Sequence, residues 1–411
     1  MMSGCPNSLF ILADDLTGAA DCAMGAARKG LHSIVLFEPT VAAEAQVISI
    51  DADTRYCAPE VAREICKSLW RTWAAPGRLL YKKIDSTLRG NFAAEISAFA
   101  DVGVAIVAPA FPSVGRTMRN GRVFVHGVPL EATDIWSKEC MDGVADVVAM
   151  LQAEGVKAVN LPLDIVRGDL RAALKQLVEQ DAVQAIVCDA LTDADLEAVA
   201  GASVGLPVYW VGSAGLVAHL PAAAGLTGCA KPITPTVSGS IVTVVGSLSP
   251  VSRQQAQNLE AGVDLALFEP APVLLRAGSA SSLWQSTVEA IGQALALGRD
   301  VLIRTGTFGD DDLSQGHILC QALGQLLLPL APQIGALVVT GGETARALLP
   351  AFGTHSLQLL QEVEPGVPLS VSIGTRSLPV VTKAGAFGSP DALLNAHRML
   401  ARLRASTMSN I

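Results

Sequence analysis

Charge is scarce in this sequence. Of its 411 residues only 16% are Asp, Glu, Lys or Arg, and aromatic residues supply a further 4%. Half of the chain is hydrophobic, a balance that suits well-buried α/β layers and excludes a disordered chain. The charge that is present leans acidic, at −9, which argues against nucleic acid as a partner. Any bound anion must therefore be met by local basic groups and backbone N–H donors. No apolar stretch reaches the ~18 residues of a membrane span. The opening "MMSGCPNSLFILADD" has no basic leader before its apolar run, so no signal peptide is expected. The expected setting is cytoplasmic, with no membrane partner.

Other absences narrow the chemistry. The eight cysteines (5, 22, 57, 66, 140, 188, 229 and 320) form no C-x-x-C pair and are expected to be reduced, buried thiols. The six histidines show no ligand spacing, so no zinc site is expected. There is no G-x-x-x-x-G-K-[ST], which excludes a P-loop. Nor does a G-x-G-x-x-G follow the first strand of either half, which weighs against a dinucleotide fold.

What is there is rhythm. Short β-branched runs alternate with Ala/Leu-rich helical segments, the pattern of βα units around a parallel sheet. Strands are expected at 8–13, 33–37, 46–50, 78–84, 104–109, 157–161, 185–189 and 207–212. The stretch "CAKPITPTVSGS" (229–240) lacks periodicity and reads as a linker. Strands resume at 241–247, 301–306, 336–342 and 378–385. At this length two α/β domains are expected, over 1–228 and 241–411. Each is expected to be a mostly parallel sheet flanked by helices, with ligand sites at strand carboxyl ends facing the interdomain cleft. The segment 109–130 breaks the rhythm, and its Asn120-Gly121 pair predicts a tight hairpin at a sheet edge, a natural flap.

In open α/β sheets, ligands collect beyond the carboxyl ends of the strands. "ILADDLTGAAD" (11–21) runs a buried strand into Asp14 and Asp15 before a helix. One Asp, or Thr17, explains a helix cap; the second carboxylate needs a further reason. "YKKIDSTLRGN" (81–91) gathers Lys82, Lys83, Asp85, Ser86, Thr87, Arg89 and Asn91. Ser86 or Asn91 would suffice as a cap, whereas Arg89 offers a planar fork for a carboxylate. The hydroxyls and the amide suit sugar hydroxyls, so a small polyhydroxy acid fits the set. "GSAGL" (212–216) and "VVGSLS" (244–249) each bring a strand to Gly-Ser before a helix, a turn common in purely structural roles that also presents N–H groups to anions. "VVTGGETARAL" (338–348) and "VVTKAGAFGSPDAL" (380–393) are strand, Gly-rich turn and helix start, the second carrying Lys383. Such turns favour phosphate.

In chain order, "ADDLTGAAD", "KKIDSTLRGN", "PAFPSVGRT", "VGSAGL", "VVGSLSPVSRQQ", "TGGETA" and "KAGAFG" resemble the motifs of the four-carbon acid sugar kinase family. These are ATP-dependent enzymes acting on acids such as threonate, erythronate and 3-oxo-tetronate, and the resemblance spans nearly the whole chain. It implies an N-terminal domain for the sugar acid and a C-terminal domain for the nucleotide, with Mg²⁺ arriving on ATP. Ser247 or Ser249, Gly341, Gly342, Glu343, Thr344 and Gly385 look like ATP contacts, with Lys383 beside them. On the acid side the candidates are Lys83, Asp85, Ser86, Arg89, Asn91, Arg116 and Ser213. Chemistry assigns Arg89 or a lysine to the carboxylate and Asp85, Ser86 and Asn91 to hydroxyls.

The attacking hydroxyl, expected to be the terminal one, must lose a proton, and Asp14, Asp15 and Asp85 are the candidate acceptors. Lys82, Lys83 and Arg89 should depress Asp85, while mutual repulsion should raise one of Asp14 and Asp15. Asp15 is favoured as base, with Asp14 positioning the substrate. Two rivals are a nicotinamide-dependent dehydrogenase, which lacks its fingerprint here, and a non-catalytic binding protein for a small hydroxy acid. An apolar-rich surface is compatible with a homodimer, though no residue specifies one.

Overall fold

The computed structural model describes residues 8–37, 44–138, 143–180, 182–228, 233–247, 249–305 and 316–409. In chain order its strands begin with β1 (Ser8–Ala13), β2 (Ser33–Leu36), β3 (Val47–Asp51), β4 (Arg78–Lys83), β5 (Val104–Ala108) and β6 (Arg116–Arg119). There follow β7 (Arg122–Val125), β8 (Val128–Pro129), β9 (Ala158–Leu161), β10 (Ala185–Cys188), β11 (Val208–Gly212) and β12 (Ser240–Val245). The last are β13 (Ala266–Phe268), β14 (Val301–Arg304), β15 (Ile334–Thr340), β16 (Thr354–Glu364), β17 (Val367–Gly374) and β18 (Pro379–Lys383). The described residues divide into two compact units, the first taking 8–33 and 44–228, the second 34–37 and the residues from 233 onward.

The first unit is a parallel sheet in the order β3-β1-β4-β11-β5-β10-β9. β1 is buried at every position after Ser8, as a central strand covered on both faces requires. Phe10 stacks on Trp73, ring centroids 6.1 Å apart at 11°. That contact seats the helix Pro59–Trp73, whose buried Ala62, Cys66, Leu69 and Trp73 recur at helical spacing. The expected hairpin is a small meander, β6-β7-β8, with Arg119 opposite Arg122 across a turn in which Asn120 and Gly121 have φ of 50° and 74°. It is not loose at its base. Met118 and Ala190 exchange backbone hydrogen bonds of 2.8 and 3.1 Å, and the Asp189 carboxylate accepts from the N–H groups of Asn120 and Gly121.

The second unit has the parallel order β13-β14-β12-β15-β18, continued by antiparallel β17, β16 and β2. Its core draws Ile241, Leu259, Leu302, Val338, Val381 and Leu393 together. β13 and the β16–β17 hairpin, which turns at Pro365-Gly366 between paired Glu364 and Val367, were not among the expected strands. Of the expected linker, 229–232 lie outside the described residues, while 233–239 carry no helix or strand and Val237 is buried in the core.

Cys22, Cys57, Cys66, Cys188 and Cys320 are free, and Cys5, Cys140 and Cys229 lie outside the described residues. Burial pushes the Cys66 and Cys188 thiols up to about 12, so neither is a nucleophilic thiolate at neutral pH. Among the described residues no helix is long and apolar enough to cross a membrane.

Candidate active site

β1 ends at Ala13, and the next two residues carry carboxylates into different surroundings. Asp15 has extended backbone and caps the helix Leu16–Ala27: Oδ1 accepts from Gly18 N–H at 2.9 Å and Oδ2 from the Thr17 hydroxyl at 2.6 Å. The cap therefore takes Asp15 and leaves Asp14 for something else. Asp14 is 2% exposed, its Oδ2 accepts from Arg55 Nε at 2.8 Å, and its Oδ1 is buried with no hydrogen-bond partner.

Arg55 lies outside the set of residues expected from the sequence. It stands just beyond β3, donates from Nη1 to Asp15 Oδ2 at 3.0 Å and holds Nη2 3.6 Å from Asp85 Oδ2. The signal was legible: "VISIDADTRY" is one more apolar strand ending in acidic, hydroxyl and basic residues.

β4 delivers the third carboxylate. Asp85 Oδ1 accepts from the N–H of Thr87 at 2.8 Å and from its hydroxyl, and Oδ2 accepts from Arg89 Nη2 at 2.7 Å. Burial works against the charge of Asp85, but Arg89, Arg55 and Lys83 hold its carboxyl far below the usual range. Asp15 is likewise low: burial is outweighed by Arg55, Lys83, Thr17 and the Gly18 N–H. Asp14 alone of the three is raised, by burial first and by Asp15, against Arg55, Lys83 and Lys82.

The two lysines of β4 point to opposite faces, as strand alternation demands. Lys82 is fully buried and pairs with buried Glu95 at 3.0 Å, which makes it structural. Lys83 turns to the start of the helix Leu16–Ala27, where a Cβ on Gly18 would lie 2.7 Å from its Nζ and 2.6 Å from Asp15 Oδ1. Burial opposes its charge, but Cys22, Asp14, Asp15 and Asp85 raise its pKa.

Arg116, at the start of β6, lies within electrostatic reach of Asp85 and Arg89. Its Nη1 donates to the Val114 carbonyl at 3.1 Å, while Nε is buried with no hydrogen-bond partner. Ser86 is half-buried beside Asp85. Two expected acid contacts are engaged elsewhere. Asn91 Nδ2 donates to the carbonyls of Thr54 and Cys57 at 3.0 and 2.8 Å, so its amide donors hold the loop rather than standing open to hydroxyls. Ser213 is 1% exposed, donates to the Ala110 carbonyl at 2.7 Å and accepts from Gly215 N–H at 3.1 Å.

In the second unit, β12 leaves through Gly246 and Ser247 into the helix Pro250–Gly262, capped by Ser249. Ser252 donates to the Gly385 carbonyl at 2.6 Å, and a Cβ on Gly385 would lie 2.2 Å from Ser247 Oγ. Gly341, with φ of 95°, opens the helix Gly342–Ala351, donates its N–H to the Lys383 carbonyl at 2.9 Å and leaves room beside Ser247 N. Ser247, Ser249, Gly341, Gly342 and Gly385 thus meet at the carboxyl ends of β12, β15 and β18, around a cradle that side chains would fill. Thr344 is buried and packs under it against Gly246, whereas Glu343 is exposed.

Lys383 behaves otherwise than expected for a phosphate contact. Its Nζ donates to the carbonyls of Ala384, Gly385 and Phe387 at 2.9, 3.0 and 3.0 Å, and burial lowers its pKa to about 8. The ammonium shapes the turn from within.

Two family models match the chain, one over each half. Residues 9–220 match a family model described as a sugar-binding N-terminal domain, and 242–393 one described as a nucleotide-binding C-terminal domain. The chain is 44% identical to a D-threonate kinase of Cupriavidus necator, over 97% of this chain and 99% of that one. It is 30% identical to a 3-oxo-tetronate kinase of Burkholderia multivorans (95% and 97% covered) and 30% identical to a D-erythronate kinase of Heliobacterium modesticaldum (94% and 95%). A crystal structure from Salmonella typhimurium LT2 shares the fold, with a TM-score of 0.82 at 21% identity over 96% of this chain and 99% of that one. The chain belongs to the four-carbon acid sugar kinase family.

Proposed function

We propose that this protein transfers the γ-phosphoryl group of ATP to the terminal hydroxyl of a four-carbon sugar acid, D-threonate first among them. Likeness to D-threonate kinase over nearly the whole chain supports the substrate class. The observation that carries the chemistry is Asp14: a buried carboxylate with one oxygen held by Arg55 and the other without a partner. Asp14, rather than the capping Asp15, is the proposed base.

In this reading Arg89 and Arg116 take the acid's carboxylate, since a guanidinium fork matches it. Ser86 and Lys83 line the polar stretch between that end and Asp14. The attacking hydroxyl gives its proton to Asp14 Oδ1 as its oxygen bonds to the γ-phosphorus; the bond from that phosphorus to the β,γ-bridging oxygen breaks and ADP leaves. The cradle of Ser247, Gly341, Gly342 and Gly385 is the proposed phosphate seat, where N–H groups of a helix N-terminus favour negative charge. Mg²⁺ supplies charge neutralisation when bound with ATP; among the described residues no group of three or more His, Cys, Asp or Glu could hold a metal, so it is proposed to be carried by the phosphates.

The test is purified protein with ATP, Mg²⁺ and a panel of D-threonate, D-erythronate and 3-oxo-tetronate, followed by ADP release. ADP should appear only with an acid present. Asp14→Asn should lower kcat by roughly 10²–10⁴ with KM for the acid largely kept. Silence with all three acids defeats the substrate class. Near wild-type turnover in Asp14→Asn, with the loss confined to Asp15→Asn, returns the base to Asp15.

A further inference from the structure

Arg55 has no role in the reading above beyond touching Asp14, yet it is the side chain that reaches all three carboxylates of the cluster. Its three guanidinium nitrogens meet three carboxylates from the ends of two strands: Nε to Asp14 at 2.8 Å, Nη1 to Asp15 at 3.0 Å and Nη2 to Asp85 at 3.6 Å. Its side chain is 10% exposed, so these contacts are shielded from solvent and salt.

The loop that carries Arg55 is itself fastened from below. Thr54 donates its N–H to the Asp14 carbonyl at 3.2 Å and its hydroxyl to Glu95, the buried partner of Lys82. Asn91 holds the Thr54 and Cys57 carbonyls from the other side. Gly90, with φ of 86°, lets the backbone pass so closely that a Cβ there would lie 3.2 Å from Asp14 Oδ2 and 3.5 Å from the Arg55 Cα and Cγ. A buried ion pair, an amide and a glycine are thus all arranged around the placement of one guanidinium. A surface arginine that merely neutralised local charge would need none of this.

We propose that Arg55 is a positioning residue for phosphoryl transfer: by clamping Asp14, Asp15 and Asp85 through its three guanidinium nitrogens, it fixes the direction of the unpartnered Asp14 oxygen. The proposal rests on the reading of Asp14 as base. Asp14 Oδ2 is tied down by the clamp, so Oδ1 has one orientation left, which is the condition for a base to meet a hydroxyl in line with the phosphorus. The groups facing Asp14 are Arg55 from the loop after β3, Lys82 and Lys83 from β4, and Asp15 beside it, with the Cys22 and Cys66 thiols on the flanking helices. Burial and Asp15 favour its protonated form; of the cations that oppose them, Arg55 acts most strongly. Removing the Arg55 charge therefore raises the Asp14 pKa, and the base is lost at a higher pH than in the wild type.

The experiment compares the pH dependence of kcat/KM for D-threonate, at saturating Mg-ATP, in wild type, Arg55→Gln, Arg55→Lys and Asp14→Asn, each checked for a cooperative melt. In Arg55→Gln the acidic limb should move up by about 1–3 pH units, the usual effect of one opposite charge at this distance, and activity should recover on the alkaline side. Arg55→Lys restores the charge without the fork, so its limb should return most of the way while plateau kcat stays depressed. A limb that does not move in Arg55→Gln while Asp14→Asn is inactive overturns the clamp and leaves the base standing. Full activity in Asp14→Asn overturns the reading beneath it. A pure rise in KM with an unmoved limb makes Arg55 a substrate contact and also overturns the proposal. So does loss of the cooperative melt in both Arg55 variants, which would assign the residue to the fold alone.

Discussion

Arg116 forms no close ion pair with any described residue. Elsewhere the chain pairs buried or half-buried guanidinium groups closely, as Arg404 with Asp300 at 2.7 Å. Arg116 instead keeps Nε buried without a hydrogen-bond partner, and burial lowers its pKa, with Arg89 adding like charge and Asp85 only partly offsetting both. A carboxylate bound there would relieve both conditions. Charge-assisted hydrogen bonds contribute roughly 1.5–3 kcal/mol each. Arg116→Ala should therefore raise KM for D-threonate by about one to two decades, with KM for ATP unchanged; steady-state kinetics against both substrates decide it. At this scale the sequence showed which residues gather but not which groups they spend. Asp14, Asp15, Asp85, Arg89 and Arg116 are all found in or beside one cluster. Asn91 and Ser213 read equally well as ligands, yet the Asn91 amide donates to carbonyls 34 and 37 positions away and the Ser213 hydroxyl to one 103 positions away. Such partners are set by tertiary contacts, and no local pattern records them. Arg55 is the opposite case, since the polar residues after β3 are a local feature, legible in "VISIDADTRY".

Elements were more legible than side chains, because apolar runs bounded by polar turns are a property of the local sequence. Each expected strand is present, and the Asn120-Gly121 turn forms because both residues tolerate positive φ. The long β16–β17 hairpin is harder to read because Leu360 and Gln361 break the apolar alternation of β16 and the register shifts along the pair. The turn after β18 teaches a finer lesson. A lysine followed by Ala-Gly reads as a phosphate ligand, whereas Lys383 spends its ammonium on three carbonyls of that same turn. Its effect on nucleotide should then be indirect. Lys383→Met keeps the apolar stem, removes the staple and should weaken ATP binding by about tenfold, a loss near 1.4 kcal/mol. Calorimetry with ATP should report this in a protein that still melts cooperatively; unchanged affinity would mean the turn holds its shape without the lysine.

At the scale of the molecule, two α/β units were readable from length, from the restart of the strand rhythm and from the aperiodic stretch near 229–240. The exchange of one strand was not. β2 follows β1 and its helix as any βα unit would, yet Ile34, Val35 and Leu36 pair antiparallel with Gln358, Leu357 and Ser356 of β16, and Phe37 N–H donates to the His355 carbonyl at 3.0 Å. A fragment of residues 233–411 should therefore be incomplete. Without β2 the outer edge of β16 is left unpaired, an invitation to intermolecular pairing. Size-exclusion chromatography should find the fragment aggregated, and fusing residues 31–37 to it should recover soluble protein; a monodisperse, cooperatively melting fragment would contradict this. The same strand has a consequence in time. A ribosome releases β2 early and β16 late, so a nascent chain carries one open strand edge through most of its synthesis. The C-terminal unit cannot close when its own residues have emerged, but only when they have found a segment made near the beginning. Pairing across so much chain is slow. Birth order and folding order are thereby uncoupled, and the interval between them is when a chaperone has most to shield.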